Sequence, residues 1–230
     1  MGKKEIHIMK NGPYLIKGGI PLVEKIIRND GHENYYEDGR VFTVDEEYAL
    51  CSCGKSSTKP FCDGSHASVH HRGTESASRK KYLDQAVEYD GPGLILTDQE
   101  NLCAYARFCH KKHGDVWNLT MESDDETYKQ EAIDAAKMCP SGRLIAWDKE
   151  TKQPILPDDD PEITIIQDPE KKCSGPIWVK GNVPLISSDG TEYERRYQMT
   201  LCRCGESDNK PFCDATHVSI RFDDDYEKQK

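Results

Sequence analysis

The 230-residue chain has no apolar run long enough to cross a bilayer, and its start, MGKKEIHIMKNGP, lacks the apolar core of a secretory signal. A cytoplasmic chain with no membrane association is therefore expected. Positive charge is also in short supply: 31 Lys and Arg stand against 41 Asp and Glu, a formal net charge of -10. Nucleic-acid phosphates are held by Lys and Arg, so this balance argues against a nucleic-acid partner. An acidic carrier usually meets a basic partner, and Asp158 to Asp160 and Asp223 to Asp225 look like foci for such steering, although a solvated acidic loop and a solvated acidic tail are the favoured reading of the two runs. No nucleophile beside a base, no phosphate-cradling glycine loop and no dinucleotide fingerprint occurs. Ordinary catalysis has no support, and a protein that is not an enzyme is expected.

What the chain does have is cysteine, ten in all. They fall in three groups: Cys51, Cys53 and Cys62; Cys103, Cys109 and Cys139; and Cys202, Cys204 and Cys213, with Cys173 left over. In a reducing compartment closely spaced cysteines are metal ligands or redox groups more often than disulfides. Three groups suggest three metal-bearing units, with Cys173, in a pre-strand position, read as a free buried thiol.

An internal repeat orders the outer two groups. GPYLIKGGIPL from Gly12 recurs as GPIWVKGNVPL from Gly175, and CSCGKSSTKPFCDGSH from Cys51 recurs as CRCGESDNKPFCDATH from Cys202. The first pair is offset by 163 residues and the second by 151, so the first copy carries 12 extra residues, placed at the polar stretch Ile27 to Asp38. Tyr14 to Lys17 and Ile177 to Lys180 are rich in strand formers, and GG and GN pairs after them signal turns. Val41 to Leu50 and Tyr193 to Leu201 read as extended segments leading into the first cysteine of each motif. Each copy alone is too small to bury much core, so the two are expected to pack face to face about a pseudo-twofold axis. Between them Asp98 to Lys112 and Asp124 to Met138 read as helices, the second through Tyr128, Ala132, Ile133 and Ala136. The acidic, proline-bearing run from Pro154 to Pro169 reads as a linker over the surface.

The repeated motif has its own physical logic. Alternate residues of a strand point to the same face, so a CxC pair can grip one iron through both sulfurs. Cys62 with His66, and Cys213 with His217, stand four apart and share one face of a helical turn, suiting them to a second iron. Pro60 and Pro211 stiffen the approach to the loop, and Asp63 and Asp214 sit where a residue caps free backbone amides. Three cysteines and a histidine also form an ordinary zinc shell, but zinc sites favour spacers of two to four residues and both copies have one.

Cys51, Cys53, Cys62, Asp63, Gly64, Ser65 and His66 resemble the signature of the mitoNEET-type CDGSH iron-sulfur proteins, and the second copy matches except at Ala215 and Thr216. The resemblance implies a [2Fe-2S] cluster in each motif, held by Cys51, Cys53, Cys62 and His66 and by Cys202, Cys204, Cys213 and His217, in a β-rich two-cluster fold. Replacing a thiolate by neutral imidazole removes negative charge and eases reduction, as in Rieske centres. A histidine ligand also takes up a proton in acid, so both clusters are expected to be acid-labile.

Cys103 and Cys109 enclose AYARF, and Cys139 opens the run CPSGRL. Over about Leu94 to Trp147 this resembles single-cluster ferredoxins that lack the central cysteine of CxxCxxC, whose place here is taken by Ala106. Three thiolates suit a [3Fe-4S] cluster, and a [4Fe-4S] cluster would need a fourth ligand, for which His110, His113, Asp115 and Cys173 are the candidates. The fold expected is α+β, with a pseudo-twofold NEET-like β unit and an inserted ferredoxin-like domain. Residues 1–92 form the first repeat, 93–153 the cluster domain and 154–230 a linker and second repeat. The function expected is a monomeric, soluble single-electron carrier serving a redox partner protein. The alternatives are cluster storage or transfer to an apo-protein acceptor, and a zinc-binding structural module.

Overall fold

A computed structural model describes residues 2–225. In the first copy β1 (Glu5–Ile8), β2 (Tyr14–Lys17), β3 (Leu22–Asn29), β4 (Asn34–Phe42) and β5 (Glu47–Leu50) precede a metal loop and the short helix α1 (Ser65–Ser68). The inserted unit holds β6 (Val87–Asp90), β7 (Leu94–Asp98), the short β8 (His110–Lys111) and β9 (Gly114–Asp115), α2 (Val116–Met121), α3 (Glu126–Lys137) and β10 (Leu144–Asp148). The second copy runs β11 (Glu162–Asp168), β12 (Cys173–Lys180), β13 (Leu185–Ile186), β14 (Gln198–Leu201) and α4 (Thr216–Ser219). Several sheets with few helices make this an α+β chain.

The strands form where β-branched and aromatic residues alternate with polar ones. In β2 and β5, Tyr14, Ile16, Tyr48 and Leu50 face inward while their neighbours are half-exposed or exposed. Two sheets result, ordered β13-β1-β2-β5 and β14-β12-β11-β3-β4. Each contains strands from the other copy, β13 in the one and β3 with β4 in the other. First-copy β3 runs parallel to β11, with Leu22 opposite Ile163, and second-copy β13 runs parallel to β1, with Leu185 opposite Ile6. Parallel neighbours cannot be joined by a tight hairpin, and here they come from different copies. Ile6, Ile16 and Leu50 share one core with Ile163, Ile177 and Leu201. Each such fully buried aliphatic side chain contributes about 1.5–3 kcal/mol, so separating the copies would forfeit most of that burial.

A second core lies inside the inserted unit, where Leu94, Leu96 and Leu144 meet Val116, Ala132 and Ala136. Helix α3 falls within the expected Asp124 to Met138. Asp125 caps it by accepting from Thr127 N at 2.8 Å, and Ala132, Ile133, Ala135 and Ala136 face inward.

Three expectations are corrected. Asp98 to Lys112 is not a helix. It holds one 3-10 turn at Glu100–Leu102 and then an irregular loop with left-handed backbone at Tyr105 (φ 57) and Arg107 (φ 65), a path that turns Cys103 and Cys109 toward one cavity. Pro154 to Pro169 is not wholly a surface linker. Its second half is β11, the central strand of the larger sheet, buried from Ile163 through Asp168. The extended segments before the CxC pairs are also shorter than expected: β4 ends at Phe42 and the chain re-enters a sheet only at Glu47, while of Tyr193 to Leu201 only the last four residues are strand.

The 12 extra residues of the first copy form much of the β3–β4 hairpin, which reaches the inserted unit. The Tyr36 ring stacks on Phe108 at 4.2 Å and on Trp178 at 5.1 Å, Asn34 Nδ2 donates to Ala106 O at 3.2 Å, and Lys111 pairs with Glu33. The hairpin thus joins the loop bearing Cys103 and Cys109 to the second sheet.

At the seam between the copies Cys53 and Cys204 form an antiparallel bridge. Glycine follows each of them for a steric reason. Gly54 (φ +72) and Gly205 (φ +88) have left-handed backbone, and a Cβ would stand 2.5 Å from Cys204 O in the one case and 2.6 Å from Cys53 O in the other. Gly190 has similar backbone (φ +87) with nothing within 4 Å. G54A and G205A are therefore expected to lose about 2–4 kcal/mol in denaturant titrations. The control G190A should lose only about 1 kcal/mol; equal losses would mean that the close approach at the seam is unimportant.

Candidate metal centres

Each metal loop leaves the end of an edge strand, β5 or β14, and returns to it through the isolated bridges Leu50–Phe61 and Leu201–Phe212. Side chains knit the loop. Ser56 Oγ donates to Phe61 O at 2.6 Å and Ser207 Oγ to Phe212 O at 2.7 Å, while Lys59 and Lys210 donate to Ser56 O and Ser207 O. Asp63 accepts from Ser57 N and Ser65 N, and Asp214 from Asp208 N and Thr216 N. These aspartates cross-link the loop rather than occupy the capping position, which falls on Gly64 and Ala215. Both of those are left-handed (φ 88 and 69), so Ala215 keeps the loop conformation of the glycine it replaces.

The donors stand as two pairs in each loop. Cys51 and Cys53 Sγ are 3.6 Å apart, and Cys62 Sγ is 3.3 Å from His66 Nδ1. The second loop repeats both distances with Cys202 and Cys204, and with Cys213 and His217 Nδ1. Two sulfurs on one tetrahedral metal at about 2.3 Å would be about 3.8 Å apart, close to the observed pairs. Among the described residues no three His, Cys, Asp or Glu side chains converge on a single point. Gly64 N and Ala215 N donate to Cys62 Sγ and Cys213 Sγ at 3.4 Å.

Cys53, Cys62, Cys204 and Cys213 resist ionisation without a cation. Burial pushes Cys53 up to about 11 and raises Cys62, and it lifts Cys213 well above the usual thiol range, with the charge of Cys202 adding to it. Cys202 and Cys204 share a proton: the Cys204 thiol holds the Cys202 thiolate down to about 7 and is itself raised. A bound cation relieves this mutual repulsion, because the thiolate is the ligand form. The donor set therefore fits a metal group.

The two loops differ in their surroundings. Tyr14, from the first copy, donates its hydroxyl to Cys202 O at 2.8 Å, and the aligned residue in the second copy is Ile177. Cys62 and His66 are half-buried, whereas Cys213 and His217 are each 3 % exposed. Burial, with the Arg203 charge, pushes His217 down to about 4.

In the inserted unit Cys103, Cys109 and Cys139 line one cavity with Ala106, Pro140 and Arg143. Burial lifts Cys109 to about 11, and the charges of Cys139 and Cys103 add to it. Arg143 forms a two-pronged pair with Asp98 at 2.6 and 2.7 Å, which together with Cys103 raises its pKa. From the second repeat Arg196 donates to Ser141 O and Gly142 O, behind Cys139. Burial lowers Arg196 to about 10, which leaves it charged at neutral pH. Tyr36 Oη is buried without a protein partner and within the field of Cys139. Three thiols and the Arg143 guanidinium around one cavity are a donor set that fits a sulfide-bearing group.

The four candidates for an extra ligand do not line this cavity. His110 is exposed, His113 pairs with Glu131 at 2.6 Å, Asp115 caps α2, and Cys173 lies buried at the start of β12, pushed up to about 11 by burial. Sequence reasoning missed Arg143, Arg196, Arg203 and Tyr14, since nothing in local spacing marks a residue that serves a site far along the chain. It also took Asp224 for part of a solvated focus. That carboxylate is 2 % exposed and pairs with Arg203, itself 3 % exposed.

Two family models match the chain. One, described as iron-binding zinc finger CDGSH type, covers residues 11–67 and 174–218; the other, described as divergent 4Fe-4S mono-cluster, covers residues 89–149. No curated protein and no solved structure matches the chain.

Asp224 gives a pH test of the cover over the second loop. Burial works to raise its pKa, and Arg203 together with hydrogen bonds from Gln167 and Ser174 outweighs this, lowering it to about 2. The folded value lies below the unfolded one of about 3.9. The pair's stabilisation is therefore present above that value and is lost as pH falls through about 2. D224N should cost about 3–5 kcal/mol at pH 7 by leaving a buried cation uncompensated. In denaturant titrations that difference from wild type should be unchanged at pH 5 and smaller at pH 3.5.

Proposed function

Because the chain is an iron-sulfur cluster-binding protein, with two CDGSH-type segments flanking a divergent 4Fe-4S mono-cluster segment, we propose that it is a soluble single-electron carrier with three centres and no catalytic site of its own. The two repeat units would be related by a pseudo-twofold axis, each with a [2Fe-2S] cluster, and the middle site would hold a [3Fe-4S] cluster. The observation that carries this reading is the division of each repeat's donors into Cys–Cys and Cys–His pairs. A zinc ion would need four donors at one point. The reciprocal pairing of Leu22 with Ile163 and Leu185 with Ile6 supports the pseudo-twofold. The cavity of Cys103, Cys109 and Cys139, with Ala106 where a fourth thiolate would stand, supports three irons rather than four.

When bound, the clusters supply one-electron chemistry; the chain's own residues hold and tune them. Cys51, Cys53, Cys62 and His66 would hold the first, Cys202, Cys204, Cys213 and His217 the second, and Cys103, Cys109 and Cys139 the third. Arg143 and Arg196 place positive charge beside the middle thiolates, which favours the reduced, more negative state. The sites are set close together: Cys53 and Cys204 meet across the seam, Asn209 Nδ2 donates to Asn101 O at 2.9 Å, and Cys213 feels the charge of Cys103. Such packing suits electron exchange with a redox partner protein. A second reading, cluster storage or transfer, is favoured by the half-buried Cys62 and His66 of the first loop.

Protein purified without oxygen should be red-brown and contain about seven irons per chain, from two two-iron centres and one three-iron centre. About four irons would leave the middle site empty, and colourless zinc protein would overturn the reading. A106C, adding a thiolate to the middle cavity, should abolish the oxidised [3Fe-4S] EPR signal and give a reduced [4Fe-4S] signal in its place.

A further inference from the structure

A cavity of about 200 Å³ lies between the inserted unit and the second repeat, and no cysteine lines it. One side is β10 with the segment that folds back on it, since Trp147 bridges Pro154 and Ile155 N donates to Ala146 O at 2.8 Å. Leu144, Ala146, Trp147, Ile155 and Leu156 make its walls apolar. An apolar cavity of about 150 Å³ admits benzene. This one therefore has room for a six-membered ring with a small substituent.

The charged groups of the lining do not balance. Lys137, Arg195 and Arg196 stand against the single carboxylate of Glu194. Arg195 is already paired with Glu192 at 2.6 Å, and Glu194 accepts from Tyr82 N at 2.6 Å, reaching Arg196 only through its field. The acidic run Asp158 to Asp160 begins beyond Pro157 and lines no part of the cavity; Asp159 stands 4.0 Å from Lys180. Arg196 is half-buried between the rings of Tyr82 and Phe212, and its Nη2 donates to Ser141 O and Gly142 O. Its Nε and Nη1 donate to no protein acceptor among the described residues. A guanidinium is well suited to a carboxylate, and a desolvated one without a counter-ion gains most from an anion. The apolar walls favour a ring over a sugar, and so small an excess of cations favours one negative charge over the two of a phosphate.

The cavity also adjoins the middle site. Leu144 lines both, and Arg196 lies within the field of Cys139. We propose that this cavity binds a small aromatic monocarboxylate, its ring against the walls and its carboxylate on Arg196, and that the bound anion lowers the reduction potential of the middle centre. The carboxylate cancels positive charge that Arg196 places behind Cys139, and that charge favours the more negative, reduced state. Linkage makes the effect mutual: the reduced protein binds the anion more weakly by the same factor. The coupling rests on the iron-sulfur reading above; the binding does not.

The test uses the full-length loaded chain at neutral pH without oxygen, with benzoate as the probe. Calorimetry should show one benzoate per chain with a Kd of about 1 mM or tighter. Acetate, which lacks the ring, and benzyl alcohol, which lacks the charge, should each bind about tenfold more weakly or worse. R196Q should abolish benzoate binding, and L83E/L156E, which places carboxylates at two exposed lining positions, should weaken it about tenfold with iron content unchanged. In an EPR redox titration saturating benzoate should lower the middle potential by about 59 mV, the equivalent of tenfold weaker binding to the reduced form, and leave the two-iron centres unmoved. In R196Q that potential should start lower and not respond. Absence of saturable benzoate binding, or binding that R196Q or L83E/L156E leaves unchanged, would overturn the site. Binding without a shift in the middle potential would overturn the coupling. If R196Q does not fold, L83E/L156E and the comparison with acetate and benzyl alcohol still decide. A chain that binds benzoate but holds no middle centre would instead overturn the three-centre reading, and with it the coupling, while upholding the site.

Discussion

The exchange of β3 and β13 between the two sheets is the constraint on which the rest of the molecule depends. The strands that lead into the metal loops, β5 and β14, are edge strands paired only with β2 and β12. Those in turn pack on β1 and β11, whose far sides are closed by a strand from the other copy. Neither loop is therefore held by its own repeat alone. The same exchange brings the copies close enough for Cys53 and Cys204 to bridge, with Gly54 and Gly205 giving the clearance. Positioning of donors and closure of the core are one event, so the pairs at 3.6 and 3.3 Å sit on a rigid base.

What could be read beforehand was whatever local spacing encodes. CxC fixes two sulfurs on one face of a strand, and a cysteine and histidine four apart share a turn, so the close pairs of the repeat loops were legible before any fold was known. Helix α3 was legible because Asp125 and the buried alanines obey one local period. The stretch Asp98 to Lys112 misled because its apolar residues serve cavities and neighbours on several sides: Leu102 belongs to the main core, while Ala106 and Phe108 pack on the β3–β4 hairpin. In Pro154 to Pro169, acidic residues at the start masked the buried ITIIQ at its centre, which becomes β11. Asp224 shows the limit of composition: in a tract of three aspartates, only its distant partner Arg203 reveals that it is buried.

The unequal cover of the two loops follows from topology more than from the ligands. Because β3 belongs to the second sheet, the 12 extra residues of the first copy do not enlarge the first sheet. They extend the second, where Asn34 and Tyr36 meet the loop of Cys103 and Cys109. That loop carries Arg107, whose guanidinium pairs with Asp168 at 2.6 Å at the end of β11, on the side of the sheet that feeds His217's surroundings. Insertion and inserted unit thus accumulate on one copy. A duplicated site can keep its donors and still diverge in access, since exposure is set by what the neighbouring chain segments happen to cover.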